Sequence, residues 1–198
     1  MKGNWPVNNE QGSFVIDIQK IRDRARADIA EGAVTGGYQA DRGTVIRLLN
    51  EALATEIVCT LRYRRHYFMS GALGGIAGFA IRDELLQHAK EEQEHADRIA
   101  ERIVQLGGEP NFNPEGLTSR SHADYAEGGE LADMLREDLV AERIAIDTYG
   151  EIIRYIGEKD PTTRRLFEDI LEQEEEHADE LSDFLKRLNA APRANAPR

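Results

Sequence analysis

The 198-residue sequence is poor in cysteine, in aromatic residues and in positive charge. Its one cysteine, Cys59, excludes an internal disulfide and suits a reducing compartment, so a cytoplasmic location is the expectation. Lys and Arg number 25 against 37 Asp and Glu, a formal net charge of −12 that repels nucleic acid and anionic membranes and favours cations. Long apolar runs are missing. The stretch "GALGGIAGFAI" at 71–81 is too short and glycine-rich to cross a bilayer, and the start "MKGNWPVNNEQG" has no signal-peptide core. No segment sustains a period of two, which leaves no strand to assign. What is present is an ordinary 40% apolar content in a chain long enough for a sizeable core, one domain or one domain with an appendage.

The apolar periodicity is helical throughout. Residues 13–31 read as a short helix with Ser13 as its N-cap ahead of Phe14, Ile18, Ile21 and Ala25, broken by Gly36 and Gly37. Four longer helices follow at about 42–70, 76–106, 129–157 and 161–189, and the tail from 190 to 198 is expected to fray. Between the second and third long helices lies "GGEPNFNPEGLTSRSHADYAEGG", 23 residues with two prolines and five glycines. Antiparallel neighbours in a bundle are joined by about 2–8 residues. A helix of about 28 residues is roughly 42 Å long, and an extended linker of this length reaches roughly 70 Å. The linker can therefore run the height of the molecule. The expected fold is an all-α four-helix bundle of two hairpins joined by one long crossover between helices 2 and 3, with an extra N-terminal helix. This divides the chain into an extension at 1–40, a bundle at 41–189 and a tail.

Each long helix carries a polar interruption on its apolar stripe. The stripes are Val45, Leu49, Ala52, Glu56, Cys59, Tyr63; Leu85, Ala89, Glu92, His95, Ile99, Ile103, Leu106; Leu131, Leu135, Asp138, Glu142, Ala145, Tyr149, Ile152; and Phe167, Ile170, Glu174, His177, Leu181, Phe184, Leu188. A glutamate stands near the middle of all four, and two add a histidine three residues on. The halves echo each other: E-x-x-H-A-D recurs, and aligning Glu56 with Glu142 aligns Leu53 with Leu139 and Tyr63 with Tyr149. This is a hairpin duplicated about a pseudo-twofold axis.

Four carboxylates buried together are untenable without compensation, because even one uncompensated ion costs about several kcal/mol and like charges would force protonation. Two divalent cations supply four positive charges against the four negative ones, and two neutral histidines complete the shells. An oxygen and nitrogen donor set without thiolate suits iron, or manganese in its place, better than structural zinc. The spacing of E-x-x-H fits because residues i and i+3 project from successive turns of one helix face. A single E-x-x-H in so acidic a chain would mean only a solvated helix face, which is the reading given to Glu91, Glu94, Glu175 and Glu176. Six donors placed on four apolar stripes are a different matter.

Glu56, the pair Glu92 and His95, Glu142, and the pair Glu174 and His177 match the di-iron ligand pattern of bacterioferritin and its Dps-like relatives, so that residues 42–189 resemble the ferritin-like superfamily in helix order, spacing and all six ligand types. The resemblance implies that Glu92 and Glu174 bridge two iron ions while Glu56, Glu142 and the histidines cap them. It implies oxidation of Fe(II) by O2 or H2O2, with Fe(III) mineralised inside a hollow homo-oligomeric shell. It also places Tyr63, seven residues after Glu56, where bacterioferritins carry a tyrosine that can supply an electron; a plain core tyrosine is the alternative.

Three features depart from that pattern. Gln93 stands where bacterioferritin has its haem-ligating methionine, so haem is not expected. About twenty residues follow His177, too few for the fifth helix that helps close a 24-subunit shell, which favours a 12-mer. The helix before residue 36 has no counterpart and is expected to brace a subunit contact. DNA is an unfavoured partner, since Lys20, Arg22, Arg24 and Arg26 are diluted by Asp17, Asp23 and Asp28. Met134 and Cys59 are expected in the core. His88, one turn before Glu92, is expected at the surface, with a place on an iron path as its alternative; His66 and His122 carry no assignment. Two alternatives to storage stand: a non-storage di-metal oxidoreductase, peroxidase-like or manganese-catalase-like, which shares the site but not the shell, and a Dps-like DNA-protecting protein whose metal site only scavenges.

Overall fold

The computed structural model describes residues 16–27, 29–73 and 75–190. Compact units divide between Gly37 and Tyr38. The first carries α1, Ile18–Arg26, and a 3₁₀ turn at Ile29–Glu31. Helix α1 is shorter than the periodicity predicts because Asp17 caps it, its side chain accepting from Lys20 N. Ser13 and Phe14 lie outside the described residues, as does the tail beyond 190.

The second unit holds the bundle: α2 Arg42–Leu73, α3 Gly75–Gln105, a short α4 Leu117–Arg120, α5 Leu131–Ile156 and α6 Pro161–Ala190. No strand occurs among the described residues. The hairpins α2–α3 and α5–α6 dock with α2 against α5 and α3 against α6. Helix α2 continues three residues beyond its predicted end, into the glycine-rich stretch. A side chain on Gly78 would put its Cβ 1.9 Å from the Ser70 carbonyl oxygen, so these glycines let α2 and α3 come together at the top of the hairpin.

The crossover is tied along α2 from one end to the other. Asn50 donates to Glu109 O at 3.3 Å and accepts from Asn111 N at 2.7 Å. Further along, Thr55 accepts from His122 N at 2.9 Å, Arg62 donates to Asp124 O at 3.0 Å, and His66 Nε2 lies 3.1 Å from Glu127 O. The chain so returns to the far end of α2, where α5 starts and runs antiparallel to it.

At the opposite end Asp160 caps α6 ahead of Pro161, a residue suited to a helix's first position. Asp160 accepts from Thr163 N at 2.9 Å, from Tyr38 at 2.8 Å and from Arg102 at 2.9 Å, fastening α3 to α6. Inside the bundle Asp138 accepts from Arg62 Nε at 2.8 Å and meets His66 Nδ1 at 2.8 Å, all three fully buried. These are the roles of His66 and His122 that periodicity left open. Met134 and Cys59 are buried, as predicted.

Candidate metal centre

The inward stripes read from the sequence are buried along α2, α3 and α5; on α6 they are buried from Phe167 to Leu181, while Phe184 and Leu188 are half-buried. That packing carries Glu56, Glu92, His95, Glu142, Glu174 and His177 to one place, each 1–3% exposed. Two sets of four converge: Glu56, Glu92, His95 and Glu174, and Glu92, Glu142, Glu174 and His177, with the donor atoms of each set within 4.8 Å of one another. Glu92 and Glu174 belong to both. The sequence symmetry is thus realised in space, with one terminal glutamate and one histidine on either side of a shared carboxylate pair.

Five of the donor atoms face inward without hydrogen-bond partners. Glu92 Oε1, Glu142 Oε2, both oxygens of Glu174 and His177 Nδ1 are buried and make no hydrogen bond. Orphaned buried acceptors are costly, and here they all point at one locus. His95 Nδ1 lies 3.1 Å from Glu174 and 3.3 Å from Glu56; His177 Nδ1 lies 3.2 Å from Glu92 and 4.0 Å from Glu142. The donor set fits a pair of divalent cations of the iron or manganese kind, hard oxygen ligands with one imidazole each.

Protonation follows the crowding. Burial first, then the neighbouring carboxylates, hold Glu92 and Glu142 well above the ordinary carboxylate range and raise Glu174 as well. Burial also pushes Glu56 up, but the hydrogen bond and charge of His95 outweigh it and leave Glu56 lowered. For His95 burial acts downward and loses to Glu174 and Glu56, which push it up to about 11. The metal-free cluster therefore keeps protons that cations would displace.

Three features around the donors were not read from the sequence. First, each histidine is held from behind. His177 Nε2 meets Glu91 Oε2 at 3.0 Å, and His95 Nε2 meets Gln173 Oε1 at 3.0 Å. The signal was available: both holders immediately precede a shared glutamate, in "EEQEH" and "QEEEH". Glu91 is accordingly half-buried and bonded rather than part of a solvated face. Second, the tyrosines cross over. Tyr63 on α2 donates to Glu142 on α5, and Tyr149 on α5 donates to Glu56 on α2, both fully buried. Third, His88 is 1% exposed instead of lying at the surface, its ring stacked on that of His177 at 4.1 Å. It is buried because its position on α3 faces α6. Gln93 is exposed and donates to Asp97 at 3.0 Å. No described helix is long and apolar enough to cross a membrane.

Residues 46–191 match the ferritin-like domain model. The chain belongs to the ferritin-like family. Among its relatives is the bacterioferritin of Mycobacterium avium, 33% identical over 150 residues that make up 73% of this chain and 86% of the relative. Among solved structures, the bundle is similar to a dodecameric thioferritin, the bacterioferritin-related protein of Bacteroides fragilis, at 30% identity with a TM-score of 0.72, covering 76% of this chain and 89% of that one. It is also similar to Desulfovibrio desulfuricans bacterioferritin, a protein described with a diiron site in different catalytic states, at 27% identity with a TM-score of 0.64, covering 75% and 81%.

Proposed function

We propose that this chain is an iron-storing ferroxidase. It binds two Fe(II) as substrate between Glu56, Glu92, His95, Glu142, Glu174 and His177, oxidises them with O2 or H2O2, and keeps the Fe(III) product inside a closed shell of its own copies, twelve by preference. The observation that carries the reading is the set of partnerless carboxylate oxygens: Glu92, Glu142 and Glu174 aim four free oxygens into one buried locus beside Glu56, and four carboxylates so placed require positive charge there. Bacterioferritin relatives support the redox chemistry, and the dodecameric neighbour supports the shell.

Bound iron supplies the electrons for reducing the oxidant. The protein supplies the rest. Glu92 and Glu174 are common to both positions, so they hold the ions as a pair. Glu91 and Gln173 accept from the outer nitrogens of His177 and His95, which keeps each Nδ1 lone pair turned inward. Tyr63 and Tyr149 occupy one oxygen of Glu142 and Glu56 and leave the other for a cation. Buried Ala89, Ile99, Ile170 and Leu181 exclude water on α3 and α6. Reduction of O2 to water takes four electrons: two come from the bound Fe(II) pair, one from Tyr63, whose phenolic proton passes to Glu142, and the fourth from a further Fe(II).

The test is an anaerobic Fe(II) titration followed by air or peroxide, with particle mass measured on the same sample. Rapid oxidation at two Fe(II) per chain in a particle near twelve chains is the expected result. A dimer with the same oxidation would replace storage by a non-storage di-metal oxidoreductase, and slow oxidation unchanged by Glu92→Ala would remove the ferroxidase reading.

A further inference from the structure

Beyond the central six donors, a second cluster lies between α3 and α6. His88 Nε2 is 2.8 Å from Glu180 Oε2 and 3.9 Å from Glu84 Oε1. One donor atom from each of Glu84, His88 and Glu180 falls within 4.8 Å of the other two. The imidazole is 1% exposed, whereas the Glu84 and Glu180 side chains are 39% and 48% exposed, so the cluster reaches solvent on one side. On the other side the His88 ring stacks on that of His177, 4.1 Å between centroids. His88 Nδ1 is buried and has no hydrogen-bond partner.

A structural role for a buried histidine needs one acceptor for its N–H. Here two carboxylates on different helices turn toward the same nitrogen, where they repel each other. Burial and then Glu180 raise the Glu84 carboxyl above its ordinary range, the mark of two negative groups brought together. A divalent cation between them removes the repulsion and takes the imidazole as its nitrogen ligand. One histidine with two carboxylates, open to water on the remaining positions, suits Fe(II), Mn(II) or Co(II) held loosely enough to exchange.

We propose that Glu84, His88 and Glu180 form a third divalent-metal site, a staging position from which Fe(II) passes alongside His177 into the central pair. The destination rests on the ferroxidase reading; the site itself does not. Glu84 and Glu180 gather the ion from solvent, and His88, back to back with His177, carries the donor surface inward where the exposed carboxylates stop.

The test uses the full chain and Co(II), which is not oxidised under the conditions of binding. Anaerobic calorimetry with visible absorption should find one ion more per chain in the wild type than in Glu84→Gln/Glu180→Gln, whose substituted side chains are partly exposed and whose fold should survive. In Glu92→Gln/Glu174→Gln, where the central pair is disabled, a Co(II) signal should persist and should vanish when Glu84→Gln/Glu180→Gln is added. With Fe(II) and air, Glu84→Gln/Glu180→Gln should need on the order of ten-fold more Fe(II) for half-maximal oxidation. A wild-type Co(II) isotherm in Glu84→Gln/Glu180→Gln, or no residual Co(II) in Glu92→Gln/Glu174→Gln, overturns the staging site. The ferroxidase reading fails separately, through Fe(II) oxidation that Glu92→Ala does not change.

Discussion

Glu91 meets the outer nitrogen of His177 at 3.0 Å, while Gln173, its counterpart under the pseudo-twofold, meets that of His95. A carboxylate acceptor makes the imidazole a stronger donor to metal than an amide acceptor does. The two halves of a nearly symmetric centre are thereby made unequal. Glu91→Gln should weaken the tighter of the two central metal positions by about 10-fold and bring the two affinities together. Stepwise anaerobic Co(II) calorimetry measures this, and an unaltered isotherm would show that Glu91 only decorates the helix.

The crossed tyrosines predict a split between two otherwise matched residues. Tyr63 lies edge-on to His88 at 5.2 Å, and Tyr149 lies against Phe167 at 5.3 Å, deep in the core. Either Phe variant removes a donor to a terminal glutamate and should slow Fe(II) oxidation by on the order of ten-fold. Only Tyr63→Phe should abolish a tyrosyl radical signal in freeze-quenched electron paramagnetic resonance after O2 is added. A radical that survives Tyr63→Phe and disappears in Tyr149→Phe would reverse the roles.

The buried triad of Arg62, Asp138 and His66 predicts a stability effect removed from the metal. Asp138→Ala leaves the Arg62 guanidinium buried without its carboxylate and loosens a residue that also holds the crossover at Asp124. Breaking such a pair costs about 3–5 kcal/mol. Urea unfolding of the metal-free chain should register a loss of that size. A change under 1 kcal/mol would mean that water enters the space and solvates Arg62.

The parts of this architecture legible in the sequence were those written as helix periodicity. Glu56, Glu92, Glu142 and Glu174 stood out because a carboxylate on an apolar stripe contradicts its neighbours, and the recurrence of E-x-x-H fixed which stripes met. Residues that act across helices left no such mark. His88 falls beside Glu92 in a segment rich in charge, and nothing in its own helix says that α6 covers it. Glu91 looks like any surface glutamate until His177 is placed opposite. The predicted end of α2 falls three residues short for a related reason: the glycines that follow residue 70 read as a break, whereas close packing of α2 on α3 uses the missing side chains of Gly71 and Gly78. Asp138 was visible as a stripe residue, but Arg62 and His66 were not visible as its partners, being 76 and 72 residues away.

The protonation of the centre gives the metal-free chain an unusual dependence on pH. Burial and neighbouring carboxylates raise Glu92, Glu142 and Glu174 above their ordinary 4.5, and His95 is pushed from 6.5 up to about 11. A raised value means that the folded chain holds protons that the unfolded chain has released. Stability rises with pH only where the unfolded state binds more protons, so these groups make it fall. For the carboxylates the fall begins near 4.5, and for His95 it runs from 6.5 to about 11. Glu56, whose carboxyl is lowered, acts in the opposite sense, but only below 4.5. Divalent metal held by these side chains should displace the retained protons and should bind more tightly as they become easier to remove. With chelator present, Tm should drop by on the order of 5 °C between pH 6.5 and 9. With saturating Mn(II) under argon the drop should disappear, and metal binding at pH 6.5 should release protons measurable by calorimetry in buffers of different ionisation enthalpy. A metal-free Tm that climbs across this range would mean that the six side chains do not share protons as a buried cluster.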